Sequence, residues 1–134
     1  MPTFQSDGLT LSYQSAGEGP VVLCIHGFAS SGKVNWVDVG WVETLVDAGY
    51  RAVTLDNRGH GASDKPEDPA AYTDTSLWGD DVAAVMAAHD LTDVTLVGWS
   101  YGSRVIASYL ATHGEAALTG VVLAGGILAI GNAR

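Results

Sequence analysis

Gly98-Trp99-Ser100-Tyr101-Gly102 joins an apolar run to a helical pattern and is the most informative segment of this sequence for its fold. Val94–Gly98 before it is short and rich in valine, as expected for a strand buried on both faces. Ser103–His113 after it carries apolar residues at the spacing of one helical face (Val105, Ile106, Tyr109 and Leu110), and Gly114 is a suitable C-cap. We therefore predict a strand, a tight turn and a helix in direct succession.

The turn matches the pattern G-x-S-x-G. At a strand-to-helix junction this pattern is typical of a nucleophile elbow, in which a strained backbone exposes the serine hydroxyl. The flanking glycines remove Cβ atoms that would collide in so tight a bend, and the helix N-terminus favours developing negative charge. A serine that merely caps a helix is the alternative. The junction favours Ser100 as a nucleophile.

The rest of the chain alternates between short apolar runs and helical patterns. The other predicted strands are Thr3–Ser6 and Leu9–Tyr13 at one edge, Val21–His26, Arg51–Leu55 and Val121–Ala124. The other predicted helices are Asp38–Ala48 and Thr75–Asp90, with a polar loop between Leu55 and Thr75. This order predicts one α/β domain over residues 1–134, with a mostly parallel, doubly wound sheet. Of the four tryptophans, we expect most to pack in the core.

Two further segments follow predicted strands. His26-Gly27-Phe28 lies where the elbow requires a second backbone donor, so the N–H groups of Phe28 and Tyr101 would point at a substrate carbonyl oxygen. Such donors are typically worth about 3–4 kcal/mol each in the transition state. The segment from Asp56 to Ser63 is expected to be a structural loop, held by pairing of Asp56 with Arg58, with no catalytic role for His60.

In their order and spacing these three segments resemble the α/β-hydrolase superfamily, and most closely its bacterial esterases, lipases and cofactor-free haloperoxidases. The resemblance covers nearly the whole chain. It implies a serine hydrolase that acts on a small-molecule acyl substrate through an acyl-enzyme. Ser100 matches the family's nucleophile, and Phe28 and Tyr101 match its backbone oxyanion donors. No cofactor and no metal are implied, and the histidines and Cys24 lack the spacing of metal ligands.

The sequence departs from this family after the elbow. The family's triad runs Ser, then Asp or Glu, then His along the chain. Only 34 residues follow Ser100, and their one histidine, His113, lies on the predicted helix. We therefore expect residues 1–134 to be the N-terminal part of a single α/β-hydrolase domain, truncated after Val121–Ala124. Later strands, the acid, the base and the lid would be missing, and the isolated chain would be nearly inactive. The strand Val121–Ala124 would then be an exposed edge that favours self-association.

Composition narrows the class of protein further. Fifteen acidic residues against six basic ones give a net charge of −9, which argues against binding of nucleic acid. The apolar runs are too short to cross a bilayer, and the start at Met1 lacks the pattern of a signal peptide. A single cysteine, Cys24, lies in an apolar run and is expected to be a buried thiol. These features predict a cytoplasmic protein.

Other functions remain as alternatives. Gly27 to Lys33 matches the phosphate-binding pattern G-x-x-x-x-G-K, but Val34 replaces the residue that would bind Mg²⁺, and the helix is expected to begin only at Asp38. A nucleotide-binding protein is therefore less favoured. A non-catalytic half-domain completed by a partner chain is another alternative. Within the same fold, a perhydrolase or haloperoxidase-like enzyme and a C–C bond hydrolase both stay open.

Overall fold

The computed structural model describes residues 2–125, which form a six-stranded sheet covered by helices on both faces. The strands are β1 (Thr3–Ser6), β2 (Leu9–Ala16), β3 (Val21–Ile25), β4 (Arg51–Leu55), β5 (Val94–Trp99) and β6 (Leu118–Ala124). The helices are α1 (Trp41–Asp47), α2 (Ala70–Thr73), α3 (Ser76–Ala88) and α4 (Tyr101–His113), and a π-helical turn spans Lys33–Val37.

The sheet has the order β1-β2-β4-β3-β5-β6. Strands β4, β3, β5 and β6 are parallel to one another, whereas β1 and β2 are antiparallel to their neighbours. The hairpin between β1 and β2 turns at Asp7 and Gly8, whose φ angles of 52° and 75° are those that a two-residue hairpin turn requires. The mostly parallel sheet is thus confirmed, and the two N-terminal strands at its edge are antiparallel.

Strand β3 lies at the centre and contributes to two cores. Leu23 and Ile25 belong to the larger core, which is covered by α3 and α4. Val22 and Cys24 point to the opposite face, where Trp36 and residues of α1 cover them. Cys24 is fully buried as expected, and this burial raises the pKa of its thiol to about 12. The thiol therefore stays protonated and is a poor nucleophile.

The first predicted helix differs from the observed one. Instead of Asp38–Ala48, the structure has the π-helical turn and then α1, separated by Gly40 at a φ of 83°. The N–H of Asp38 donates to the carbonyl of Lys33 at 2.8 Å, so Asp38 ends the first turn rather than beginning α1. A left-handed residue cannot continue a right-handed helix, which explains the break.

The polar loop between β4 and α3 contains the unpredicted helix α2. Asp68 accepts a hydrogen bond from the N–H of Ala70 at 2.9 Å, and Pro69 stands just before the helix. An aspartate followed by proline is a helix start signal, but the polar residues, glycines and prolines of the whole segment are typical of a loop.

Within the described residues, β6 pairs on one side only, with β5. Its side chains Val121 and Val122 are 36 % and 50 % exposed. None of the helices between residues 2 and 125 has both the length and the apolar character needed to cross a membrane.

Candidate active site

Ser100 is the single residue between the end of β5 and the start of α4, in the turn that the sequence predicts. Its φ of 54° and ψ of −112° are unfavourable for a residue with a side chain, and such strain is concentrated at functional positions. The N–H of Ser100 donates to the carbonyl of Ala124 at 2.7 Å, and its own carbonyl accepts from the N–H of Ser103 at 2.9 Å. The backbone is therefore held on both sides while the residue itself stays exposed.

The two glycines of the motif allow backbone to pack directly on backbone. A Cβ on Gly98 would lie 2.7 Å from the carbonyl carbon of Gly102. A Cβ on Gly102 would collide with the carbonyl of Ile25 and lie 3.0 Å from that of His26. The turn at Ser100 consequently sits against the end of β3, where the segment His26-Gly27-Phe28 begins.

Hydrogen bonds from side chains fix the segment that follows β3. The Nδ1–H of His26 donates to the carbonyl of Gly27 at 2.7 Å, and its Nε2 accepts from the N–H of Asn57 at 3.0 Å. The N–H of Gly27 donates to Oδ1 of Asn35 at 2.8 Å. The N–H of Gly32 donates to Oδ1 of Asp56, also at 2.8 Å. These hydrogen bonds connect the segment after β3 to the π-helical turn and to the loop after β4.

The backbone N–H groups of Phe28 and Tyr101 flank this junction. In the part of the chain that the structure describes, neither of them donates to a protein acceptor. The two side chains are also close, since their rings lie 5.8 Å apart. The structure thus brings the predicted oxyanion donors and Ser100 onto neighbouring segments at the same end of the sheet.

Aromatic residues surround this end of the sheet. The ring of Tyr101 lies 5.2 Å from that of Trp78 and 6.0 Å from that of His60. Phe28 is 74 % exposed and Trp99, next to Ser100, is 51 % exposed. Burial, and secondarily the charge of Asp81, raises the pKa of Tyr101 to about 12, so its hydroxyl is protonated at neutral pH. These aromatics offer an apolar surface beside the serine.

The expectation that most tryptophans pack in the core is wrong. Trp36 is buried and Trp78 packs against the main core, but Trp41 and Trp99 are substantially exposed. Trp99 ends β5 at the elbow, and its ring lies beside Gly27 rather than in either core.

None of the four histidines in residues 2–125 is arranged as the base of a triad: His89 lies at the end of α3 against the ring of Tyr13, and the other three are hydrogen-bonded elsewhere. Both ring nitrogens of His26 are bonded to backbone, and burial lowers its pKa. His113 pairs with Asp80 at 2.8 Å at the far end of α4, about 18 Å along the helix from its start. The Nδ1–H of His60 donates to the carbonyl of Arg58 at 2.9 Å. Within these residues, His113 is the histidine that contacts a carboxylate.

The loop Asp56–Ser63 is structural, but its predicted ion pair is wrong. Arg58 pairs with Asp81 of α3, at 2.7 Å from Nε to Oδ2, and not with Asp56. Asp56 instead accepts from the N–H groups of Gly32 and Ala62. A short side chain such as Asp56 satisfies nearby backbone donors better than it reaches a guanidinium that points into the core.

The phosphate-binding alternative does not fit this geometry. A helical turn does begin at Lys33, contrary to expectation, but it is a five-residue π-helical turn. The N–H of Gly32 is bonded to the carboxylate of Asp56, and the Nζ of Lys33 pairs with Asp38 at 2.9 Å. A carboxylate occupies the backbone donor that a phosphate would need.

Sequence reasoning missed two residues of this region, Asn35 and Asp81. Asn35 interrupts the apolar residues Val34, Trp36 and Val37, and Asp81 interrupts the apolar face of α3. A polar residue inside an apolar pattern is the signal that could have found both, because buried polar groups need partners.

Comparisons with known proteins agree with this arrangement. A family model described as alpha/beta hydrolase fold matches residues 20–133. The non-heme chloroperoxidase CPO-A1 of Kitasatospora aureofaciens is 38 % identical over 117 residues, which cover 87 % of this chain and 40 % of that protein. Epoxide hydrolase 3 of Siraitia grosvenorii is 36 % identical, with 80 % of this chain and 32 % of the relative covered.

Among solved structures, the esterase RhEst1 from Rhodococcus sp. ECU1013 is 41 % identical and superimposes with a TM-score of 0.81. The match covers 90 % of this chain and 43 % of the esterase. The chain therefore spans less than half the length of the proteins that it resembles.

Proposed function

Because the chain belongs to the α/β-hydrolase fold family, we propose that it carries the nucleophile and the oxyanion hole of a serine hydrolase acting on esters or related acyl compounds. The observation that carries this proposal is the strained backbone of Ser100 at the strand-to-helix turn, directly against the end of β3. Strain of this kind persists only where the surrounding structure enforces it.

In the proposed reaction, Oγ of Ser100 attacks the acyl carbonyl carbon while its proton passes to a base. The negative charge that forms on the carbonyl oxygen is held by the N–H groups of Phe28 and Tyr101. The leaving group departs with the proton, and water then attacks the acyl-enzyme to release the acid and regenerate the serine. The exposed rings of Phe28 and Trp99 supply an apolar surface for a small acyl substrate.

We propose that the base and its carboxylate partner lie outside residues 2–125. Two observations support this. Within the described residues the histidine that contacts a carboxylate, His113, lies at the opposite end of α4 from Ser100. The relatives are also more than twice as long as this chain. Without a base a serine hydroxyl is a weak nucleophile. Residues 1–134 expressed alone are therefore expected to turn over substrate very slowly.

The test is covalent labelling by a fluorophosphonate, followed by intact-mass measurement on the natural protein with any sequence beyond residue 134. One label per chain is expected, and Ser100→Ala should abolish it. Ser103→Ala is the matched control, because this serine lies one turn further on and its hydroxyl donates to the carbonyl of Gly98. A folded wild-type protein that takes up no label, or a label that survives Ser100→Ala, would disprove the proposal.

A haloperoxidase-like perhydrolase is a second candidate, favoured by the 38 % identity to a non-heme chloroperoxidase. It would use the same acyl-enzyme, with hydrogen peroxide instead of water attacking the acyl group to release a peracid and the free serine. Peracid formation from an acetate ester and hydrogen peroxide, compared with hydrolysis of the same ester, separates the two activities. Loss of both in Ser100→Ala is expected in either case.

We further propose that the protein works in the cytoplasm. The composition supports this, since its one cysteine is an unpaired, buried thiol. Immunoblotting of cell fractions tests the location.

A further inference from the structure

The peptide that carries the Phe28 N–H is adjacent to a glycine, which on its own would be free to rotate. Glycine accepts a wide range of φ and ψ, so the Phe28 N–H could turn away from the oxyanion unless something restrained it. Glycine nevertheless suits this position, because a Cβ on Gly27 would crowd Cδ1 of Trp99 at 3.1 Å. The close contact between Gly27 and Trp99 favours a glycine, whereas a fixed direction of the Phe28 N–H requires a backbone that a glycine alone does not restrain.

Side-chain hydrogen bonds on both sides of Gly27 resolve the conflict. The peptide before it is held through its N–H, which donates to Oδ1 of Asn35 at 2.8 Å. The peptide after it is held through its carbonyl, which accepts from Nδ1–H of His26 at 2.7 Å and from the N–H of Ser30 at 3.3 Å. In a planar trans peptide the N–H points opposite to the C=O. Holding the carbonyl of Gly27 therefore also sets the direction of the Phe28 N–H.

The π-helical turn explains how Asn35 reaches this position. The turn is closed by the hydrogen bond from the N–H of Asp38 to the carbonyl of Lys33, and its neighbouring Trp36 is buried against β3. Turns of this type are rare and are concentrated at functional sites. Here the wider turn is anchored by Trp36 in the core while Asn35 contacts the segment that follows β3.

We propose that Asn35, together with His26, is a positioning residue that locks both peptides of Gly27 and so aims the Phe28 N–H at the oxyanion. The role rests on the proposed hydrolase function. Asn35 touches no reacting atom in this arrangement; it acts through the backbone of Gly27. Displacing a catalytic group by about 1 Å costs on the order of 100-fold in rate, so a small change in the direction of this donor is enough to matter.

The first measurement is amide hydrogen exchange by NMR on the natural protein, which needs a folded chain but no activity. Asn35→Leu keeps the size of the side chain and removes the acceptor, and it should speed exchange of the Gly27 amide by at least about tenfold. Asn35→Asp keeps an acceptor oxygen and should preserve protection. Val34→Ala is the matched control, because Val34 is exposed on the same turn. Unchanged exchange in a folded Asn35→Leu variant would overturn the proposal.

The second measurement is steady-state hydrolysis of p-nitrophenyl acetate, together with inhibition by phenylboronic acid. Asn35→Leu is expected to lower kcat by about 10- to 100-fold with KM changed less than about twofold, and to weaken boronate inhibition in parallel. A rise in KM at constant kcat would mean that Asn35 serves substrate binding, and would overturn the positioning role. A wild type without Ser100-dependent hydrolysis would disprove the hydrolase instead, while the exchange result would still decide whether Asn35 holds Gly27.

Discussion

Arg58 and Asp81 form a buried, two-pronged ion pair that joins the loop after β4 to α3. Nε of Arg58 donates to Oδ2 of Asp81 at 2.7 Å and a terminal nitrogen donates to Oδ1 at 2.8 Å. Both side chains are almost fully buried, and Ser6 of β1 donates to the same carboxylate. Hydrogen bonding to Asp81 is the main reason that the pKa of Arg58 is raised above its usual value. The pair ties three separate segments together beneath the candidate site.

We predict that breaking this pair destabilises the protein strongly. Arg58→Met leaves the carboxylate of Asp81 buried without its partner, and the expected loss is about 3–5 kcal/mol in the free energy of unfolding. Removing both charges in Arg58→Met/Asp81→Leu should restore at least part of that loss. Urea denaturation followed by circular dichroism measures both.

The exposed pair between Lys33 and Asp38 provides the control for this prediction. Lys33→Met removes one partner of an ion pair of similar length, but the Lys33 side chain is 74 % exposed. Its effect should stay below about 1 kcal/mol. Equal effects of Arg58→Met and Lys33→Met would contradict the structural role of the buried pair.

The hydrogen bonds of His26 predict both its tautomer and a dependence of stability on pH. A carbonyl accepts from Nδ1 and an N–H donates to Nε2, so the neutral ring must carry its proton on Nδ1. Burial lowers the pKa of His26 below its usual 6.5. Its contribution to stability is therefore present above pH 6.5 and is lost as the pH falls below that value. For one proton the slope is at most about 1.4 kcal/mol per pH unit.

Long-range ¹⁵N–¹H NMR of the imidazole rings tests both statements. The nitrogen shifts of His26 should report the Nδ1–H form and should stay constant from pH 8 to below 6.5. The ring of His60, whose Nδ1–H also donates to a backbone carbonyl, provides an internal reference for the nitrogen shifts of the Nδ1–H form in the same spectrum. A His26 ring that titrates at or above 6.5 would contradict the effect of its burial, and a proton on Nε2 would contradict its two hydrogen bonds.

Gly102 is predicted to be intolerant of any side chain. Gly102→Ala would drive a methyl group into the carbonyl of Ile25, so the elbow and the end of β3 must move apart. We expect a loss of about 1–3 kcal/mol and a large fall in labelling of Ser100. Gly120→Ala is the control, because the nearest atom to a Cβ there is Oγ1 of Thr95 at 3.9 Å. It should leave stability within about 1 kcal/mol and leave labelling unchanged.

The elbow and the parallel strands could be predicted from the sequence because their signals are local. Five consecutive residues define the turn at Ser100, and β3, β4 and β5 each coincide with a short run of mostly apolar residues. Asp81 stands out as a polar residue in an apolar pattern, but no local signal identifies Arg58 as its partner, since the two are 23 positions apart and Asp56 is nearer to Arg58 in the chain. Only the packing of α3 against the sheet makes Asp81 the available carboxylate.

The hydrogen bond from Gly27 to Asn35 was unpredictable for a related reason. It depends on a π-helical turn, and the expected pattern was an α-helix that began at Asp38. The side chains that hold a catalytic segment in place come from elements whose relative positions the sequence pattern leaves open. The nucleophile is therefore easier to identify than the residues that support it.

Strand β6 is predicted to mediate self-association of residues 1–134 when they are expressed alone. Within the described residues its outer edge is unpaired, and Val122 is 50 % exposed. Val122→Lys should reduce concentration-dependent association in sedimentation velocity. Val39→Lys adds the same charge at a more exposed valine away from any strand, and it should not. A wild-type chain that stays monomeric at high concentration would rule the prediction out.

The backbone of Ser100 is predicted to store strain that a glycine would relieve. With φ at 54° and ψ at −112°, a Cβ is unfavourable, so Ser100→Gly should raise the free energy of unfolding by about 1 kcal/mol while abolishing labelling. Ser100→Ala removes the same hydroxyl but keeps the Cβ, and it should give no such gain. The difference between the two variants therefore isolates the strain from the loss of the hydroxyl. Thermal denaturation of both, beside the wild type, measures it, and equal stability of the two variants would mean that the turn holds Ser100 without strain.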